Sequence, residues 1–197
     1  MLLSVPIEYE IVENLPVAYQ KWAPPLVFGE SVLTLGSTIS VSFRYPPPMQ
    51  LTLAHVGARA SSRDNFDSLC QVYLDRCAPF ARCLSEAFRT EKAVFEWLDR
   101  HEGRTQPILV LLDCRGRQMT SEAFAAWLGA HRNQGAQHIV FAIGPANGWS
   151  PGAHKRSQLT LSLGPMTMVH ALARLVVAEQ IYRAFTILSG HPYHTGH

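Results

Sequence analysis

Residues 108–143, ILVLLDCRGRQMTSEAFAAWLGAHRNQGAQHIVFAI, carry the pattern that decides the fold. They begin with the apolar run 108–112 and end with the apolar run 138–143. Between these runs, Thr120 stands directly before a helix-like stretch at 121–132, where a threonine suits the N-cap. Two apolar strands joined by a helix are the unit from which parallel sheets are built, so this stretch predicts a βαβ unit.

The same alternation extends from residue 49 to residue 197. The further predicted strands lie at 51–56, 81–88 and 159–163, and the further predicted helices lie at 66–76 and 91–100. Strands that alternate with helices indicate a parallel sheet with helices on both faces. We therefore predict a single α/β domain over residues 49–197.

Residues 1–48 have a different composition. They are rich in proline and end in Tyr45-Pro46-Pro47-Pro48, which cannot continue a helix or a central strand. Two interpretations remain open, namely a genuine N-terminal extension of unknown role and an artefact of start-site choice with Met49 as the true initiator. Both predict a domain boundary at Met49.

Composition and charge exclude several classes of protein. With 47% hydrophobic and 16% charged residues the chain is typical of a globular protein, and its longest apolar run, 108–112, is too short to span a bilayer. The formal net charge of +2 is too small to indicate a polyanionic partner by itself. The first residues lack the basic opening of a secretory signal peptide, so we expect a cytoplasmic protein.

Neither the cysteines nor the C-terminal histidines predict a metal site. The four cysteines show no C-x-x-C spacing, which favours reduced, mostly buried thiols. His191, His194 and His197 stand three residues apart, but no acidic or cysteine ligand accompanies them. Pro192-Tyr193 is a stiff aromatic unit that suits docking, and the imidazoles beside it can accept a proton near neutral pH.

The predicted last helix, 171–188, is apolar on nearly every side. Because one sheet cannot cover such a helix, we expect a second subunit to pack against it. Glu179 and Arg183 lie four residues apart on one face and Arg174 on roughly the opposite one, so these three charges require partners.

Two loops at the predicted carboxyl edge of the sheet are candidate ligand sites. Residues 144–148, GPANG, follow the strand 138–143 at the edge where parallel sheets usually bind ligands, although glycines there also serve turns alone. Residues 163–168, LGPMTM, form an apolar loop that suits either core packing or a slot for an adenine ring. The fingerprints of dinucleotide-binding folds, P-loop NTPases and zinc proteases are absent from the sequence.

Taken together, six segments resemble the RlmH family of SPOUT RNA methyltransferases. They are MQLTLAHVG at 49–57, LLDCRGR at 111–117, IGPANG at 143–148, HALAR at 170–174, AEQIYRA at 178–184 and HPYH at 191–194. The resemblance covers residues 49–197, and nothing before Met49 takes part in it.

The resemblance implies a SPOUT-type fold whose C-terminal chain forms a deep trefoil knot, one of the rare exceptions to unknotted topology. It also implies a homodimer with the knot at its interface, and a pocket for S-adenosylmethionine made by the knot loops, without a metal. By position, the residues lining this pocket are Leu112, Gly144, Leu163, Gly164, Pro165, Met166, Thr167 and Met168.

The family's reaction is methylation of N3 of a pseudouridine in a stem-loop of 23S rRNA on the assembled ribosome. The resemblance implies that His194 is the general base or orients the target base, and that Tyr193 stacks on or hydrogen-bonds to the target ring. It further implies that Arg174 and Arg183 position phosphate or carboxylate groups and that His170 supports the pocket wall.

The chain departs from the family pattern beside these residues. Pro145 follows Gly144 where the family has a second glycine, which removes a backbone N–H, and His170 lacks its flanking prolines. Two alternatives therefore stay open, a non-catalytic ribosome- or RNA-binding SPOUT dimer and an enzyme of the same fold that acts on a different nucleotide.

Overall fold

The structure, a computed structural model, describes residues 49–57, 64–100 and 106–194. The strands in this part of the chain are β1 (Gln50–Val56), β2 (Arg82–Phe88), β3 (Ile108–Gln118), β4 (His138–Ile143) and β5 (Leu159–Ser162). The helices are α1 (Asn65–Arg76), α2 (Glu91–Arg100), α3 (Ser121–Asn133), α4 (Pro151–Arg156) and α5 (His170–Leu188). The two interpretations of residues 1–48 lie outside the described residues.

The strands form one sheet in the order β2-β1-β4-β3-β5, and every neighbouring pair is parallel. The predicted parallel α/β sheet is therefore confirmed. β3 continues to Gln118, whereas the apolar run predicted its end at Leu112, because polar residues extend the pairing with β5 after a register shift. A Cβ on Gly116 would lie 2.7 Å from the carbonyl of Thr160, so only glycine allows this close approach of the two strands.

Helices cover both faces of the sheet, as predicted. Alternate residues of β4 supply the two cores, since Phe141 packs on one side and Val140 on the other. The first core joins α1, α3 and α5 to the sheet, and the second joins α2 and α4. The short helix α4 was not predicted, because six residues starting with Pro151 and Gly152 show no apolar period.

Side-chain caps fix where the helices begin. The predicted N-cap Thr120 accepts a hydrogen bond from the backbone N–H of Ala123 at 3.1 Å, and Asp64 caps α1 in the same way through Phe66 at 2.8 Å. Ser150 caps α4. At the start of α5 the N-cap residue is Val169, which provides no side-chain hydrogen bond.

Helix α5 lies between α1 and α3. Its residue Phe185 is fully buried and stacks on Phe80, with ring centroids 5.3 Å apart. On α1, by contrast, the apolar side chains of Phe66, Leu69 and Val72 are exposed, at 39%, 49% and 42%. None of the helices in the described residues is both long enough and apolar enough to cross a membrane.

Candidate cofactor and catalytic site

Two loops emerge on either side of strand β3 at the carboxyl edge of the sheet. Leu112 of β3 pairs with Ile143 on one side and with Leu161 on the other. The loop 144–150 therefore leaves β4 beside Leu112, and the loop 163–169 leaves β5 on its opposite side. The structure thus brings the predicted cofactor-binding residues to one edge, where ligands of parallel sheets usually bind.

A buried tryptophan joins the loop 144–150 to strand β3. The Nε1–H of Trp149 donates a hydrogen bond to the carbonyl oxygen of Leu112 at 3.2 Å, and the side chain packs on Gly144. A Cβ on Gly144 would lie 2.8–3.0 Å from three atoms of the indole ring, so Trp149 explains why this position is a glycine. Sequence reasoning missed Trp149, and the only available signal was a tryptophan in the same loop as Gly144.

The loop 144–150 is fixed at both ends. The backbone N–H of Gly148 donates to the carbonyl of Pro145 at 2.9 Å, and Gly148 has a φ of +80°, a conformation that favours glycine. The N–H that Pro145 lacks is not needed for this turn. At the other end, the carboxylate of Glu91 on α2 accepts hydrogen bonds from the backbone N–H of Ser150 at 3.0 Å and from its hydroxyl.

The loop 163–169 is apolar and partly exposed. The Ser162 hydroxyl accepts a hydrogen bond from the N–H of Gly164 and donates to its carbonyl, both at 3.1 Å, while Gly164 has a φ of +130°. Leu163 and Met168 pack against the first core. Met166 is 75% exposed, so the middle of the loop presents apolar surface to solvent.

The C-terminal residues fold back on α5 and α3 and form what we call the tail cluster, which consists of Glu122, Glu179, Arg183, Tyr193 and His194. Glu179 accepts hydrogen bonds from Arg183 Nε at 2.9 Å and from the Tyr193 hydroxyl at 3.1 Å. His194 Nε2 lies 2.9 Å from Glu122 Oε1, and His194 Nδ1 lies 3.5 Å from an Arg183 nitrogen.

These contacts set the charge states within the tail cluster. Burial, reinforced by hydrogen bonds to Tyr73 and Glu179, raises the pKa of Tyr193, so the phenol is neutral at physiological pH. The hydrogen bond to Glu179 raises the pKa of Arg183. Hydrogen bonds from its own backbone N–H, from Thr120 and from His194 lower the pKa of Glu122, which keeps this carboxylate ionised.

Aromatic contacts hold the tail on α5. The ring of Tyr193 meets that of Tyr182 edge-on, with centroids 4.9 Å apart, and the Arg183 guanidinium carbon lies 5.0 Å from the centroid of Tyr193. Tyr193 is therefore clamped between an aromatic ring, a cation and a carboxylate.

Arg174 lies apart from the tail cluster. It is 8% exposed, and its guanidinium nitrogens contact Asp67 of α1 at 2.5 Å and His55 Nε2 at 3.3 Å. Nine residues, or about 13 Å along a helix, separate Arg174 from Arg183. The half-buried His170 stands in the first turn of α5, directly after the loop 163–169. Of the predicted catalytic residues, the structure thus brings together Arg183, Tyr193 and His194 only.

Comparison with known proteins identifies the family. A family model described as predicted SPOUT methyltransferase matches residues 49–194. A protein of Koribacter versatilis named Ribosomal RNA large subunit methyltransferase H is 44% identical over 149 residues, which are 76% of this chain and 100% of that relative. The chain belongs to the RlmH family of SPOUT methyltransferases.

Two further similarities accompany this assignment. A protein of the same name from Rhizobium leguminosarum bv. trifolii is 55% identical to this RlmH-family chain over 87 residues, which are 44% of the chain and 54% of that relative. Among solved structures, the SpoU methyltransferase AviRb from Streptomyces viridochromogenes in complex with AdoMet matches with a TM-score of 0.43 and 13% identity, over 74% of this chain and 60% of that one.

The thiols of this RlmH-family chain are free. Cys70 and Cys77 are buried, Cys83 is half-buried, and Cys114 is exposed, which differs from the expectation of mostly buried thiols. Burial raises the pKa of Cys70 to about 11. Among residues 49–57, 64–100 and 106–194, no group of three or more histidine, cysteine or acidic side chains is arranged to hold a metal ion.

Proposed function

We propose that this protein transfers the methyl group of S-adenosylmethionine to N3 of a pseudouridine in 23S rRNA, as a cytoplasmic homodimer acting on the assembled ribosome. The observation that carries the proposal is the meeting of the two predicted cofactor loops beside Leu112, in a chain of the RlmH family. The sulfonium of S-adenosylmethionine supplies an activated methyl group whose leaving thioether needs no acid catalyst.

The residues at the carboxyl edge suit this cofactor. An adenine ring needs apolar contact on its faces and backbone groups at its edge. The exposed Met166 offers apolar surface, and the loop 163–168 around it offers main-chain donors and acceptors. Leu112 and Gly144, both in contact with Trp149, would form the inner wall.

A second copy of the chain would complete the site. Within one protomer, Glu179 lies nine residues, or about 13 Å, along α5 from His170 and from the cofactor loop that precedes it. The exposed apolar residues Phe66, Leu69 and Val72 beside α5 provide a surface for dimerisation. In the proposed dimer, with the deep trefoil knot at its interface, the tail cluster of one protomer faces the cofactor loops of its partner.

The geometry of the tail cluster supports a role for His194 as the general base. The ionised Glu122 accepts a hydrogen bond from His194 Nε2 and so favours the tautomer with its proton on that nitrogen. Nδ1 then carries the lone pair that accepts the N3 proton of the pseudouridine, and Glu122 stabilises the resulting imidazolium. Arg183, 3.5 Å from Nδ1, and Tyr193 would position the target nucleotide.

The charge balance favours the assembled ribosome as the substrate. Phosphate neutralisation supplies most non-specific affinity for RNA, and a net charge of +2 provides little of it. We therefore expect isolated 23S rRNA to be a poorer substrate than whole ribosomes.

Transfer of labelled methyl from S-adenosylmethionine to ribosomes that lack the modification tests the proposal, with the product nucleotide mapped by mass spectrometry. Label on N3 of a pseudouridine in 23S rRNA is the expected result. Label on another nucleotide would favour the enzyme with a different target. Absence of label together with absence of cofactor binding would favour the non-catalytic ribosome-binding dimer.

We also propose that residues 1–48 are dispensable for the SPOUT domain, because the family model matches residues 49–194 and leaves this segment out. Expression of residues 49–197 tests this, and loss of folding, dimerisation or methyl transfer in the shortened protein would contradict it.

A further inference from the structure

An arginine is held in place just beyond the cofactor loops. In the extension of β3, Arg115 donates to the carboxylate of Asp113 through Nε at 3.0 Å and through a terminal nitrogen at 2.9 Å, and its backbone N–H donates to the same carboxylate at 2.9 Å. The Asp113 side chain is only 5% exposed, whereas that of Arg115 is 70% exposed. The guanidinium is therefore anchored on one side and open to solvent on the other.

A histidine from α4 contacts the same anchor. His154 Nε2 lies 3.5 Å from the second oxygen of Asp113, and His154 Nδ1 lies 3.3 Å from the Thr160 hydroxyl on β5. The close approach of Gly116 to the backbone of Thr160 fixes the other end of the segment. The β3 extension is thus a rigid support for Arg115.

Two further basic side chains directly follow residues of this support in the sequence. Arg117 follows on the same extension, and Lys155 follows His154 on α4, and both are exposed. We call Arg115, Arg117 and Lys155 the basic rim. Arg115 and Arg117 lie three and five residues past Leu112 on β3, at the carboxyl edge where the two cofactor loops emerge, and Lys155 follows the histidine that contacts Asp113.

We propose that the basic rim, with Arg115 at its centre, binds phosphate groups of the rRNA strand next to the nucleotide that is methylated. This inference rests on the proposed function, because it assigns the contact by which that substrate is held.

The geometry favours phosphate as the ligand. A guanidinium that a carboxylate already holds loses little side-chain entropy on binding, and its free N–H groups match phosphate oxygens. Phosphate contacts orient a nucleic acid without reading its sequence, which suits a position beside the site of methyl transfer. An exposed ion pair contributes little to stability, so a purely structural role gives a weak reason for Arg115.

The test compares Arg115→Ala with the control Arg82→Ala, which removes one exposed charge at the start of β2 on the opposite edge of the sheet. Methyl transfer to ribosomes lacking the modification is measured at several salt concentrations. We expect Arg115→Ala to raise KM for ribosomes about tenfold, with kcat and cofactor affinity within twofold of wild type. The slope of log affinity against log salt should decrease by about one. Arg115→Lys should restore part of the affinity, and Arg82→Ala should match wild type.

Each other outcome overturns the proposal. An unchanged KM for Arg115→Ala, or an equal rise for Arg82→Ala, would exclude a specific phosphate contact. Loss of cofactor affinity or kcat in Arg115→Ala would indicate a structural role instead. If the wild-type protein transfers no methyl group to ribosomes, the proposed function itself is wrong. That result differs from a failure of the phosphate contact, in which the wild type is active and Arg115→Ala behaves like it.

Discussion

The indole N–H of Trp149 donates to the carbonyl oxygen of Leu112 at 3.2 Å and thereby ties the loop after β4 to the middle of β3. The same ring occupies the space in which a side chain at Gly144 would lie. Leu112 and Gly144, two of the predicted cofactor-lining residues, thus both contact Trp149. The shape of the pocket wall that they form depends on this side chain.

Replacing Trp149 by Phe tests this dependence. The variant keeps most of the packing but loses the hydrogen bond, so we expect the free energy of unfolding to fall by about 1 kcal/mol and the Kd for S-adenosylmethionine to rise about three- to tenfold. Chemical denaturation and calorimetric titration measure the two effects. Trp127→Phe, on α3 at the opposite face, is the matched control and should lower stability without changing the Kd. An unchanged Kd in Trp149→Phe would show that the wall does not depend on the indole.

The meeting of the loops could be predicted from sequence, whereas the role of Trp149 could not. Apolar runs such as 138–143 predict which segments of the chain are strands. Because all strands of a parallel sheet end at the same edge, the loops that follow them meet there whatever the order of the strands in the sheet. The contact between Trp149 and Leu112 depends on β3 and β4 being neighbours, which is a tertiary fact. A glycine such as Gly144 indicates only that another group packs close to the backbone, and it does not identify Trp149 as that group.

Glu91 is expected to position the cofactor loop through Ser150. Its carboxylate accepts two hydrogen bonds from Ser150, the residue after Trp149, so Glu91→Ala releases that end of the loop. We expect the Kd for S-adenosylmethionine to rise about threefold to tenfold. Glu96→Ala on the same helix removes an exposed carboxylate paired with Lys92 and serves as the control. Equal cofactor affinity in the two variants would contradict this role.

Replacement of Arg174 is expected to lower mainly the stability of the fold. Its guanidinium neutralises Asp67, and both side chains are at most 10% exposed, so Arg174→Met leaves a buried carboxylate without its cation. We expect a loss of about 3 kcal/mol in the free energy of unfolding, partly recovered when Asp67→Asn is added. Normal stability with lost methyl transfer would instead support the nucleotide-positioning role that the family resemblance implies.

One ion pair of α5 could be predicted from the sequence and another could not. Helical spacing alone pairs Glu179 with Arg183, and the structure confirms that pair at 2.7 Å. The partner of Arg174 comes from α1, 107 residues earlier in the chain, and no local rule connects Asp67 with Arg174.

Replacement of His194 is expected to lower the turnover number. If it accepts the N3 proton, His194→Ala should lower kcat about 100-fold or more and leave the Kd for S-adenosylmethionine within twofold of wild type. Glu122→Gln keeps an acceptor for Nε2 but removes the charge that stabilises the imidazolium, so a smaller loss of about tenfold is expected. Glu96→Gln controls for the loss of a surface carboxylate. Full turnover in His194→Ala would remove this residue from the mechanism.

Asp113 is expected to make stability depend on pH in the acid range. The hydrogen bonds and charge of Arg115 lower the pKa of Asp113 from 3.8 to about 2 in the folded protein. Because the folded-state pKa lies below the unfolded one, this carboxylate stabilises the fold fully above pH 3.8, and its contribution is lost as the pH falls through about 2. After allowing for solvent screening of the exposed arginine, we expect Asp113→Asn to cost about 1 kcal/mol at pH 7. Urea denaturation of both proteins between pH 7 and pH 2 should show this difference shrinking below about pH 4, and a difference that stays constant down to pH 2 would contradict the assignment of Asp113 as the ionised anchor of Arg115.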